Sequence, residues 1–189
     1  HRLTGIQREN SHARHALEDP PLRRARARLP WLLVGLLGSI LATFVVSRFE
    51  QALEKQVFIA FFFFGIVYLA DAIGTQTEAI VVRGLSLSQN SLRTLLMGEL
   101  WTGLLIGLAL GCLSFPLVAI AFNNFSLAIA VSVSILTAGG VATTIGLFFP
   151  WLLDRLGRDP AFGSGPVATI IQDVLSLLIY FAIVQWLLI

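Results

Sequence analysis

Five carboxylates carry the chemistry this sequence offers: Asp71, Glu78, Glu99, Asp159 and Asp173, each inside or beside a long apolar run. An ionised carboxylate in hydrocarbon is costly unless it faces water, a cation or a partner. The loop Asp159-Pro160-Ala161-Phe162-Gly163-Ser164-Gly165-Pro166 leads into the run that carries Asp173. At 1.5 Å rise per residue, Asp173 lies about 10 Å beyond Pro166, and Asp71 about 12 Å before Ala79, measured from the same inner end. Two carboxylates at matching depth in different spans are what a cation site on a pore axis requires. Hard cations take oxygen ligands, and hydrated Mg²⁺ is typically held by one or two carboxylates while keeping several waters.

Around Asp71 the segment Asp71-Ala72-Ile73-Gly74-Thr75-Gln76-Thr77-Glu78 supplies hydroxyls, an amide and backbone freedom. Asp71, Thr75 and Glu78 fall at i, i+4, i+7, on one helix face. Glu78 and Asp159 come near the inner membrane surface, which suits a cytoplasmic mouth. No span interior contains an Arg to pair with Asp173, so an ion or a water-filled path is the stronger reading there. Other readings are structural. Glu99 is placed to pair with Arg83 or Arg93, and Asp71 to be a protonated acid bonded to Tyr68 or Thr75. Thr137, Gly139, Gly140, Thr143 and Thr144 either line the same cavity or pack helices.

The elements that must position these groups are membrane helices. The chain of 189 residues is 56% hydrophobic, only 13% charged, with mean hydropathy +0.82; a soluble domain would be near a quarter charged. Residues 30–189 form the membrane domain. They hold five continuous apolar runs: Pro30 to Ser47, Val57 to Ala79, Leu95 to Phe122, Phe125 to Trp151 and Pro166 to Ile189. Each approaches or exceeds the ~20 residues that cross the bilayer as a helix, and the lack of alternation excludes a barrel. The fold class is therefore an all-α integral membrane protein with five transmembrane helices per subunit. Residues 1–29 form a cytoplasmic segment in which Leu22 to Leu29 reads as an amphipathic, Arg-studded helix running into the first span. A short helix capped by Asn10 or Ser11 precedes it, and His12 and His15 are read as incidental rather than as metal ligands.

Seven Arg precede residue 30. They read as a cytoplasmic flank rather than a nucleic-acid site, because a span follows at once. With the N-terminus inside, inner segments carry eleven Arg and Lys and outer segments only Arg48 and Lys55, so the C-terminus lies outside. The expected location is the cell (inner or plasma) membrane, multi-pass, in contact with lipid. The single Cys112 excludes a disulfide framework and a Cys-based metal site. No P-loop, GxSxG or HExxH argues for an enzyme. Gly103, Gly107 and Gly111 form a small-residue stripe suited to close helix packing within or between subunits. Two copies would set two Asp173 carboxylates on a two-fold axis, which favours a homodimer.

The order of features resembles the transmembrane domain of the MgtE family of magnesium channels and transporters over residues 20–188. Pro21-Leu22 and Arg28-Leu29-Pro30-Trp31-Leu32 resemble the family's connecting helix, Phe49-Glu50 its first external turn, and Val82-Arg83-Gly84-Leu85 the stretch after its second span. Gly98-Glu99 with Gly103 and Gly107 resembles its third span. The most specific match is Asp159-Pro160-Ala161, Gly165-Pro166, Thr169, Asp173 and Leu178-Ile179-Tyr180. The resemblance implies a homodimer with a central Mg²⁺ pore, a pore carboxylate at Asp173 from each subunit and an acidic mouth residue at Asp159. It also implies an upstream acidic domain and a CBS pair that close the pore, neither of which lies in this sequence.

One region departs from that pattern. Where the family's second span usually reads Gly-Gly-Asn-x-Gly-Asn-Gln, this chain has Ala70-Asp71-Ala72-Ile73-Gly74-Thr75-Gln76, keeping only Gly74 and Gln76; the fourth-span Asn appears as Thr143. Carboxylates replace amides. The function expected is divalent cation transport, Mg²⁺ above all, with metal-facing residues Asp173, Asp71, Asp159, Glu78, Thr75, Gln76 and Thr169. An H⁺- or Na⁺-coupled divalent-cation exchanger is the alternative, and a non-transporting membrane subunit the third.

Overall fold

A computed structural model describes residues 19–85, 90–158 and 160–188. Within them the chain forms six helices: α1 (Pro21–Ser47), α2 (Glu50–Lys55), α3 (Phe58–Gly84), α4 (Leu92–Phe122), α5 (Phe125–Arg155) and α6 (Pro160–Leu188). Among the described residues five helices are long and apolar enough to cross a membrane, all but the six-residue α2. The expectations for Asn10, Ser11, His12, His15 and Asp159 lie outside the described residues.

Local chemistry sets the helix ends. Ser91 Oγ accepts from the Thr94 N–H at 3.3 Å and starts α4. Asn123, at φ 46, ends α4 in the left-handed region, and Asn124 Oδ1 then accepts from the Leu127 N–H at 3.0 Å to start α5. Asn tolerates that region and caps well, so two residues suffice for the reversal. At the other end of α5, the Gly157 N–H donates to Asp154 O at 3.0 Å and the Arg158 N–H to Leu153 O at 2.9 Å. Gly157 sits at φ +67, where glycine bears no steric cost, and the pair of bonds is a Schellman closure.

The amphipathic segment runs on into the first span as one helix from Pro21, with Pro at its first turn, where no N–H is needed. One boundary differs from expectation. The stretch from Pro160 to Gly165, expected as loop, is already the start of α6. Pro160 fills the first helical position, and Pro166 removes only one intrahelical bond inside a membrane-length helix, which such helices tolerate.

The core lies between α3, α5 and α6, built from Ile59, Ile66, Ala70, Leu127, Val131, Ala138, Ala142, Tyr180, Phe181 and Val184. α5 is the hub, packed on α3, α4 and α6, while α1 leans on α6. α4 meets α5 through the glycine stripe. Side chains added at Gly107 or Gly111 would run into the backbone of Leu136 or Ser132, so the stripe packs within the chain. The short α2 turns the chain over the far end of α6: Phe49 stacks on Phe181 at 4.3 Å, and Tyr180 Oη donates to Ile59 O at 2.9 Å.

Candidate functional site

Two buried stripes face each other. On α6, Ser164, Ala168, Gln172, Ser176, Tyr180 and Val184 are buried at every fourth residue. On α3, Ile66, Ala70, Gly74 and Glu78 do the same. The acidic and hydroxyl groups stand one residue past these stripes: Thr169 after Ala168, Asp173 after Gln172, Asp71 after Ala70. All three are half-buried. A residue one step past a stripe is turned about 100° from it, given 3.6 residues per turn. It therefore lies at the edge of the helix contact rather than in it.

At that edge Thr169 Oγ1 donates to Asp71 Oδ1 at 3.2 Å, joining α6 to α3. Asp173 is one turn further along α6, on the same face as Thr169. The hydrogen bond puts Asp71 at the level of Thr169, one helical turn from Asp173.

The face shared by Asp71, Thr75 and Glu78 divides. Glu78 is buried at 8% exposure, Asp71 is half-buried, and Thr75 and Gln76 are exposed. Their i, i+4, i+7 positions spread over about 60° of the helix, wide enough for the edge of the contact to pass among them. Thr75 Oγ1 is spent on its own helix, donating to Asp71 O at 2.5 Å. Glu78 is covered in the single chain. Its Oε2 lies 3.8 Å from where a side-chain carbon on Gly165 would stand, against the first turns of α6. Asp159 lies outside the described residues. Among the described residues no group of three or more His, Cys, Asp or Glu is gathered to hold a metal.

Other expectations resolve into packing. Tyr68 is 72% exposed, and the Asp71 carboxylate takes its hydrogen bond from Thr169 rather than from Tyr68 or Thr75. Glu99 makes no ion pair with Arg83 or Arg93 among the described residues. Its backbone carbonyl instead accepts from Thr143 Oγ1 at 2.6 Å, so Thr143 ties α5 to α4. Thr144 Oγ1 likewise bonds to Gly140 O at 2.8 Å. Sequence reasoning passed over Gln172, which is 1% exposed and donates through Nε2 to Ala142 O at 3.3 Å. An amide inside an apolar span, on the same four-residue repeat as Ser164 and Ser176, was the available signal.

Residues 63–183 match the family described as "Divalent cation transporter", MgtE. The chain is similar to proteins named magnesium transporter MgtE from three bacteria. It is 33% identical to that of Enterococcus faecalis over 170 residues, covering 88% of this chain and 38% of the relative. It is 36% identical to that of Bacillus subtilis over 162 residues, covering 84% and 36%, and 31% identical to that of Thermus thermophilus over 176 residues, covering 90% and 38%. The chain thus spans little more than a third of the length of these relatives.

Proposed function

Since the chain belongs to the MgtE family of divalent cation transporters, we propose that it moves a divalent cation, Mg²⁺ foremost, across the membrane past Asp173 and Asp71. The observation that carries this reading is the hydrogen bond from Thr169 to Asp71 at 3.2 Å. It holds the α3 carboxylate beside the α6 face that bears Asp173, inside two spans. One chain offers too few ligands for a closed cage, which suits a cation that keeps its water. A second copy would complete the site, with the two Asp173 carboxylates facing across a two-fold axis and Asp159 drawing cations to the inner mouth. The chain is oriented with its N-terminus in the cytoplasm and its C-terminus outside, as the Arg distribution favours. Growth rescue of a Mg²⁺-uptake-deficient bacterium tests the proposal: the wild type restores growth at low Mg²⁺ and Asp173→Ala does not. Full rescue by an Asp173→Ala protein present in the membrane at wild-type level would reject it.

A specific observation favours a second reading, an exchanger driven by H⁺ or Na⁺. Asp71 and Glu78 lie two turns apart on α3, Asp173 stands one turn past the Thr169 that bonds Asp71, and the only Arg or Lys on either helix is Arg83 in the last turn of α3. Such a cluster needs compensating cations or protons whenever the transported ion leaves. Flux measured in liposomes under an imposed proton or sodium gradient discriminates. A gradient-dependent rate that vanishes in Asp71→Asn supports exchange; indifference to both gradients supports a channel.

A further inference from the structure

Gln172 sits where three helices cross, and no metal-facing role has been given to it. Its side chain leaves α6, passes over Gly74 of α3 and donates to the Ala142 carbonyl of α5 at 3.3 Å. Gly74 is bare for a reason: a side-chain carbon built there would overlap the Gln172 amide. The opposite side of the same crossing is equally tight, since a side-chain carbon on Gly146 would come 2.8 Å from Gly74 O. The amide therefore lies in a slot floored by glycine backbone and walled by α5. At 1% exposure, with its donor used on a backbone carbonyl, it has one place to go.

That slot has a consequence for the neighbouring carboxylate. On a helix of 3.6 residues per turn, Thr169 and Asp173 project about 60° and 100° from Gln172, on the same side. Fixing the direction of Gln172 fixes the rotation of α6 about its axis. That rotation decides whether Thr169 meets Asp71 and whether Asp173 stands beside it. An apolar residue at 172 could fill the volume, but it would leave the Ala142 carbonyl without this donor and the rotation without a directional contact.

We propose that Gln172 is the positioning residue of the site: its amide, keyed over Gly74 onto Ala142, sets the rotation of α6 that brings Thr169 and Asp173 to Asp71. The role rests on the transport reading for its purpose, but its test does not depend on transport. In a Cys112→Ala background of the protein in its membrane, Asp71→Cys and Thr169→Cys are introduced together, and disulfide formation is read on the detergent-extractable fraction. The pair cross-links readily when Gln172 is present. Gln172→Leu lowers the cross-linking rate about fivefold or more, the scale of losing one buried hydrogen bond. Gly74→Ala, which pushes the amide out of its slot, lowers it similarly. Adding Gln172→Ala to Gly74→Ala causes no further loss, because both act through one contact. Should Gln172→Leu leave no extractable protein, Gly74→Ala alone and with Gln172→Ala carries the same comparison. An unchanged rate in Gln172→Leu, or additive losses for Gly74→Ala and Gln172→Ala, overturns the proposal. Failure of Mg²⁺ transport with these cross-linking results intact would count against the transport reading and leave the positioning role standing.

Discussion

Asp71 and Thr169 meet at a single hydrogen bond of 3.2 Å, and its removal separates the two functions a hydroxyl can have there. In Thr169→Val the shape stays and the donor goes. Hydrogen bonds between membrane helices average about 0.6 kcal/mol, so stability should barely move. Cation affinity should fall by a measurable factor, because Asp71 is no longer held beside the Asp173 face. Isothermal titration or Mg²⁺-dependent thermal stabilisation of purified protein checks this, and wild-type affinity in Thr169→Val would show that Asp71 positions itself. Most of the carboxylates could be read directly in the sequence, because an acidic residue in an apolar run is conspicuous whatever surrounds it. Gln172 was not, since its meaning comes from Gly74 and Ala142, residues of other helices with no polar side chain to announce them. The exposure of Thr75 and Gln76 escaped for the same reason: spacing places them on a face, and only packing says where that face ends.

The helices themselves divide into those held by shape and those held by polar contacts. α4 lies on α5 through glycines whose missing side chains would strike backbone atoms of Gly139, Leu136 and Ser132. Backbone cannot swing aside as a flexible side chain can. Gly107→Ala is therefore expected to destabilise by about 1–3 kcal/mol, the range for overpacked interiors. Gly35→Ala, with nothing near its added carbon, should be neutral or stabilising through its gain in helix propensity. Unfolding midpoints of the two variants in the same detergent test the contrast, and equal effects would contradict it. At the far end of α6, Tyr180→Phe loses the bond to Ile59 O and is expected to cost between about 0.6 and 1.7 kcal/mol, the average and upper values for bonds between membrane helices, read in the same assay. The five spans were legible because continuous apolar runs of membrane length leave little choice. The early start of α6 was not, because the two prolines and two glycines from Pro160 to Pro166 carry the same residue types that mark a loop.

At the scale of the molecule, α5 is the post to which α3, α4 and α6 are fastened, while α1 leans on α6. The carboxylate edge lies on α3 and α6, the pair that both pack on this post, so the site is held by the most buried part of the fold. Thr75 and Gln76 are exposed on the surface of the single chain, and the Gln76 amide suits a subunit axis or a water-filled path better than lipid. In the proposed homodimer a cysteine at position 173, in a Cys112→Ala background, should cross-link to its counterpart in a second copy; monomers alone after oxidation would argue against a shared axis. The central claim is that a divalent cation passes Asp173, and flux tests it most directly. Purified protein is reconstituted into liposomes, and Mg²⁺ entry is followed with an internal indicator for the wild type and for Asp173→Ala at equal reconstitution. Mg²⁺ entry by the wild type, with Asp173→Ala reduced to the level of empty liposomes, is the predicted result. Equal entry through both proteins, or no entry through the wild type, would contradict it.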